Sequence, residues 1–269
     1  MTIKEIKCKS ILTKSKLPGC DYVINPYSGC LMNCVYCYSR FIKRFTGHKE
    51  PWGSYADVKI NAPEVLEKEI RHAKKGMIFL SSITDAYQPI EKKYKLTRKI
   101  LKIILERQFP VAILTKSTLV LRDIDIFKKF NDITVGVSIS SLDENIKDFE
   151  PVAASPKERI KILQTLHKNK INTYAHIGPI LPGFTDLPKI FAALKGIVND
   201  TWLESFNTKG ENWTGVAKIL KRKYPELLPK YEEIFFTKKK EPYLTDLKKE
   251  ISNLSKKYNI ETKFFVHGG

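Results

Sequence analysis

The sequence has no apolar run approaching the roughly 18 residues that suggest a membrane span. Its opening, Met1-Thr-Ile-Lys-Glu-Ile-Lys-Cys8, lacks the apolar stretch of a secretory signal. No low-complexity linker divides it, and it has only five cysteines in 269 residues. Five is odd, which argues against a disulfide framework. These absences point to a cytoplasmic chain with reduced thiols and no membrane partner. Acidic residues are scarce beside basic ones, 29 Asp and Glu against 47 Lys and Arg, a formal charge of +18. The 42% apolar share excludes wholesale disorder. A chain of this length can build one large core or two modest ones.

The basic surplus favours polyanionic partners, because lysines and arginines that neutralise phosphates release counterions. The excess is mostly lysine in scattered pairs such as Lys74-Lys75 and Lys128-Lys129, with one run, Lys238-Lys239-Lys240. Such pairs equally describe a solvated surface, so charge alone does not decide nucleic-acid binding.

Three cysteines crowd into Gly29-Cys30-Leu-Met-Asn-Cys34-Val-Tyr-Cys37, a Cys-x3-Cys-x2-Cys loop. Three thiolates that close in sequence can converge on one metal centre. A structural zinc wants a fourth Cys or His, and the nearest histidine, His48, stands alone. Three ligands without a fourth suit a centre with one open position, as in a four-iron cluster with one iron free. Cys8 and Cys20 are too few for a second cluster of that kind and read as ordinary packing or a free thiol.

Strand and helix signals alternate from the cysteine loop to about residue 207. Strands are expected over 22–25, 77–84, 111–115, 133–140, 172–181 and 202–206, with helices over 61–72, 92–107, a segment reaching 130, and one behind Ser155. Asn61-Ala-Pro-Glu64 and Ser155-Pro-Lys-Glu158 read as capping boxes. Alternation of this kind predicts an α/β fold with a parallel sheet, a partial (β/α)6 TIM-like barrel. The expected organisation is an N-terminal segment 1–21, the barrel 22–207, and a C-terminal extension 208–269. That extension is helical, with a final strand over 263–267.

Parallel barrels place chemistry at the C-terminal ends of their strands. Those ends carry the three cysteines, then Ser82-Ile-Thr84-Asp85, Thr115-Lys116-Ser117, Ser138 and Ser140, His176 with Gly178-Pro179, and Glu204 with Asn207. The Cys-x3-Cys-x2-Cys spacing with Tyr36 before the third cysteine resembles that of radical S-adenosylmethionine (SAM) enzymes, and the resemblance implies that SAM on the open iron finds an acceptor for its ammonium in Thr84 or Asp85. It needs a cation for its carboxylate, met by Lys116, and hydroxyl partners for its ribose, such as Ser138. Ser82, Ser140 and Gly178 stand at the same strand ends and complete the expected cofactor-binding set.

These segments resemble the radical SAM superfamily and, within it, the spore-photolyase-like branch, over about residues 22–186. The carrying stretches are Asn25-Pro-Tyr-Ser-Gly-Cys30 with Cys34-Val-Tyr-Cys37-Tyr38, Thr84-Asp85, Thr115-Lys116-Ser117, Phe149-Glu150-Pro151 with Glu158-Arg159, and Gly178-Pro-Ile-Leu-Pro-Gly183. The resemblance implies that Cys30, Cys34 and Cys37 ligate a 4Fe-4S cluster and that Tyr36 lies near the adenine. It also implies reductive cleavage of SAM to a 5′-deoxyadenosyl radical that abstracts hydrogen, with a ferredoxin- or flavodoxin-like electron donor. Tyr38 matches a tyrosine implicated in radical transfer, hence a catalytic residue. Glu150 and Arg159 match a family Glu…Arg pair that reads equally well as a structural ion pair. One departure stands out: spore photolyases carry a hydrogen-donating cysteine just before their equivalent of Asp85, and here the stretch is Ser81-Ser82-Ile83. The substrate stays open between a nucleic acid or nucleotide, favoured by the charge, and a peptide, protein or small molecule. From a different class, a zinc-stabilised nucleic-acid-binding protein without catalysis stays open too. Oligomeric state is not legible.

Overall fold

The computed structural model describes residues 1–209 and 211–267. Residues 210, 268 and 269, which fall in the expected C-terminal extension, lie outside the described residues. The chain divides into two compact units. The first comprises Met1–Asn33, Ser39–Gly136 and Thr165–Asn172, and the second Cys34–Tyr38, Val137–Gln164 and Thr173–Gly269.

The first unit holds strands β1 (Thr2–Ile6), β2 (Thr13–Lys14), β3 (Tyr22–Ile24), β4 (Tyr27–Ser28), β5 (Tyr55–Lys59), β6 (Ile78–Leu80) and β7 (Val111–Thr115). Its helices are α1 (Lys43–Thr46), α2 (Ala62–Ile70), α3 (Glu91–Tyr94), α4 (Leu96–Arg107) and α5 (Ile124–Phe127). Strands β3, β6 and β7 run parallel, with Ile78 opposite both Tyr22 and Val111. Ile24, Ile78, Leu80, Val111 and Ile113 on them are buried. Helices α2 and α4 pack on each other and bury Leu66, Ile70, Ile100, Leu101 and Ile104 at helical spacing. A separate small sheet places β5 between β1 and β4.

Strand β8 (Ile133–Ser138) starts in the first unit and ends in the second. Helix α6 (Pro156–Lys168) follows, then β9 (Asn172–Ile180), α7 (Leu187–Leu194), β10 (Asp200–Ser205), α8 (Glu211–Lys223), α9 (Leu228–Phe236), α10 (Lys240–Tyr258) and β11 (Glu261–Phe265). Strands β9, β10 and β11 are parallel, with Trp202 opposite His176 and Lys263. Along the larger sheet the order is β11-β10-β9-β8-β7-β6-β3-β2. Its two edges do not pair, so the fold is α/β with a partial, open barrel, as expected.

The expected elements are shortened or broken at identifiable residues. The strand expected over 77–84 stops at Leu80, because Ser81 turns into left-handed backbone at φ +65°. The helix over 92–107 splits into α3 and α4 at Lys95, φ +54°. Behind β7 the expected amphipathic helix is a 3-10 turn (Thr118–Asp123) followed by α5. Strand β8 ends at Ser138, two residues early, and the last strand runs over Glu261–Phe265 instead of 263–267. The capping box at Ser155 forms: its backbone N–H donates to Glu158 at 2.7 Å, and its hydroxyl accepts the Glu158 N–H at 3.3 Å. The one at Asn61 does not form. That side chain instead holds the Cys8 backbone, accepting its N–H at 2.8 Å and donating to its carbonyl at 2.9 Å.

Candidate active site

The cysteine loop is fastened on both flanks by backbone hydrogen bonds. Before it, Gly29 adopts φ +82°, and a Cβ there would meet the Tyr55 ring at 2.6 Å. Only glycine allows both that conformation and that approach. The buried Gln88 side chain accepts the Leu31 N–H at 2.9 Å and donates to the Gly29 carbonyl at 3.3 Å, clamping Cys30 from either side. Further along, the Val35 N–H donates to the Phe149 carbonyl at 2.8 Å, and the Cys37 N–H to the Cys34 carbonyl at 3.3 Å.

Cys30 and Cys34 are buried and Cys37 is half-buried. Among the described residues, no three His, Cys, Asp or Glu side chains stand in ion-holding geometry. Fit to an iron–sulfur cluster therefore rests on the donor set: three soft sulfur ligands within eight residues, on a backbone pinned at both ends. A zinc reading would draw on His48, but both its ring nitrogens face carboxylates, Glu50 at 3.0 Å and Asp57 at 2.9 Å. Cys8 is half-buried, and burial pushes its thiol up. The Cys20 sulfur lies 3.1 Å from the Ser15 hydroxyl.

In the first unit, the end of β6 is tied to the end of β7. Asp85 is buried and accepts three hydrogen bonds, from the Tyr87 N–H at 2.8 Å, the Thr115 hydroxyl at 2.7 Å and the Lys116 N–H at 2.9 Å. Burial pushes its carboxyl up, and these bonds offset that only in part. Three of about four acceptor positions are thus used internally. Its neighbour Thr84 buries a hydroxyl with no hydrogen-bond partner. An orphaned buried polar atom at a strand end fits a bound polar group. Ser82 accepts a hydrogen bond from the Asn25 side chain at 3.2 Å. Ser117 caps the 3-10 turn, accepting the Leu119 N–H at 3.3 Å, which is the turn role its residue type suggests.

In the second unit, one buried network joins the loop's aromatic residue to the strand ends. The Tyr36 hydroxyl donates to Glu150, which also receives the Ser140 hydroxyl at 3.2 Å and pairs with Arg159. Arg159 is fully buried and donates to the Ser138 carbonyl at 3.0 Å and the Ala154 carbonyl at 2.8 Å. Ser140 approaches the Gly178 carbonyl at 2.9 Å, and Ser138 approaches it at 3.5 Å. Glu150 and Arg159 therefore position Tyr36 from within the core. Tyr38 begins a short 3-10 turn and is 54% exposed.

Further along the same unit, Glu204 stands between two imidazoles. His176 Nε2 lies 3.3 Å from one carboxylate oxygen and His267 Nε2 3.4 Å from the other. Burial alone would push Glu204 up, but the hydrogen bonds from the two histidines outweigh it and hold the carboxyl well below its usual range. Gly178 lacks a side chain where one would strike the His176 ring, at 2.4 Å. Strand-end reasoning reached His176 and Glu204 but missed His267. The alternation Lys263, Phe265, His267 along the last strand was the available signal. A cavity of about 560 Å³ lies at the opposite ends of the strands, near Ile133 and Asn172, and includes none of these residues.

The family model for the radical SAM superfamily matches residues 24–191. An uncharacterized protein of Methanocaldococcus jannaschii is 43% identical over 225 residues, spanning 83% of this chain and 84% of that protein. A radical SAM Nalpha-GlyT isomerase of Pseudomonas phage M6 is 23% identical over 218 residues, 78% of this chain and 45% of that protein. Among solved structures, a spore photoproduct lyase variant with dinucleoside spore photoproduct superposes with a TM-score of 0.71. That match covers 99% of this chain and 82% of that one at 15% identity, a likeness of fold.

Proposed function

The chain belongs to the radical SAM superfamily and is a radical SAM enzyme, and from that premise we propose that Cys30, Cys34 and Cys37 ligate a 4Fe-4S cluster whose fourth iron is left to SAM. The non-catalytic zinc reading is set aside by that membership. Bound there, cluster and SAM supply one-electron cleavage of the sulfonium to a 5′-deoxyadenosyl radical that abstracts hydrogen from substrate. The chain's residues bind and orient. Thr84, with its unpartnered hydroxyl, and the remaining acceptor position of Asp85 would take the SAM ammonium. Lys116 would hold the carboxylate, with Ser82 beside that site. Tyr36, Ser138, Ser140 and Gly178, joined in one buried network, would form the nucleoside side. Tyr38, exposed at the loop's end, would carry a radical or hydrogen atom to substrate.

For substrate we propose a nucleic acid or nucleotide. The +18 charge supports it, as does the dinucleoside held by the similarly folded lyase. An acidic ferredoxin- or flavodoxin-like protein would deliver the electron.

The observation that carries this reading is the backbone-pinned loop that brings three cysteines within eight residues. Anaerobic reconstitution should give about four iron and four sulfide per chain, and reductant with SAM should release 5′-deoxyadenosine. Cys34→Ala should abolish both, whereas Cys8→Ala should keep both. A preparation that stays colourless, or one whose iron is lost in Cys8→Ala, overturns the ligand assignment.

A further inference from the structure

Strands β9, β10 and β11 present two chemically different faces. On one, Ala175, Ile177 and Leu203 are fully buried, and α10 packs beside them against β11 and α7. Alternation sends the other face the opposite way, and there it is aromatic and charged. The rings of Tyr174 and Trp202 lie 5.0 Å apart, and those of Trp202 and Phe265 6.2 Å apart. Towards the strands' C-terminal ends the same face carries His176 and Glu204, and His267, two residues past β11, meets the second Glu204 oxygen.

A purely structural role would leave this row satisfied, and it is not. His176 is 9% exposed, yet its Nδ1 is buried without a hydrogen-bond partner. Its Nε2 faces Glu204, so in the neutral ring Nε2 is the donor and Nδ1 the acceptor. The Glu204 and His267 side chains are 35% and 37% exposed, so the row is open on that side. A partly exposed ionised carboxylate asks for a ligand edge bearing N–H groups. The indole and phenyl beside it ask for a flat ring to stack.

We propose that His176, Glu204 and His267 form a recognition site for the base of a nucleotide substrate, with Trp202 and Phe265 as its stacking surface. The proposal rests on the nucleic-acid reading above and narrows it to a base-reading face in the second unit. A base N–H or exocyclic amino group donates to Glu204, and His267 keeps the carboxylate oriented.

The test uses the reconstituted, unreduced protein with excess SAM, so that the SAM pocket is filled and no turnover occurs. Thymidine, cytidine and adenosine monophosphates are titrated by calorimetry and tryptophan fluorescence, with ribose 5-phosphate as the base-free control. At least one nucleotide should bind and change the fluorescence, while the control should not. Glu204→Gln should weaken that binding about tenfold to a hundredfold, the loss expected for hydrogen bonds to a charged group. His267→Ala, a truncation at a partly exposed position, should weaken it in the same direction with an unchanged circular dichroism spectrum. Trp202→Phe should remove most of the fluorescence change. Equal affinity in folded wild type, Glu204→Gln and His267→Ala overturns the site, as does equal binding of ribose 5-phosphate. Salt-sensitive oligonucleotide binding measured alongside separates the two readings. If it persists while the variants change nothing, only the base site falls. If no nucleotide and no oligonucleotide binds, both fall.

Discussion

At the scale of single residues, the most consequential group for stability is the guanidinium of Arg159. It is wholly enclosed, and so is its partner Glu150. Replacing one member of such a pair strands a charge in a medium that cannot solvate it. Arg159→Met should therefore lower unfolding free energy by about 3–5 kcal/mol, measured by urea denaturation at neutral pH. Tyr36→Phe removes a single donor to the same carboxylate and should cost about 1–3 kcal/mol. Arginine and glutamate nine residues apart do not announce this in a sequence; the pairing needs the chain between them to turn back.

Glu204 yields a pH test. Its carboxyl titrates near 4.5 in the ordinary state and well below that when folded. A depressed folded value means its contribution is fully present above pH 4.5 and is lost as pH falls below that. Glu204→Gln should thus be less stable than wild type at pH 7. The gap should narrow as pH drops through the acid range, followed as melting temperature against pH. A constant gap would mean that the histidine hydrogen bonds do not hold the charged form.

At the scale of elements, turns decide more than helices. Gly29→Ala places a methyl group at φ +82° against Tyr55 and must displace the turn that carries Cys30. Reconstituted iron should fall well below the wild-type content even if the far-ultraviolet spectrum is unchanged. The two sequence-level capping boxes separate cleanly. Ser155→Ala should cost about 1 kcal/mol of stability by uncapping α6. Asn61→Ala should leave α2 helical by circular dichroism while freeing the Cys8 backbone to exchange faster with solvent. The same motif gave a cap in one place and a tether in the other. Asn61 has the Cys8 peptide within reach, whereas Ser155 and Glu158 satisfy each other locally.

At the scale of the whole molecule, the basic surplus is the property with a measurable consequence. If nucleic acid is the substrate, the affinity of a short single-stranded oligonucleotide should fall steeply and log-linearly between about 50 and 200 mM salt. Binding that ignores salt would favour a peptide or small molecule instead. No helix among the described residues is long and apolar enough to cross a membrane.

What the sequence determined by itself was local: apolar periodicity placed the alternating strands and helices, and the three close cysteines marked the candidate site. Both are encoded within a few residues, where chain connectivity does the arranging. The tertiary structure showed where that periodicity breaks, at Ser81 and Lys95, which take left-handed backbone. It decided that Asp85 is a latch between strand ends and that His176, Glu204 and His267 share one carboxylate. They lie up to 91 positions apart, on β9, on β10 and two residues past the end of β11. Only parallel pairing across β9, β10 and β11, which is set by burial of the opposite face, brings them side by side.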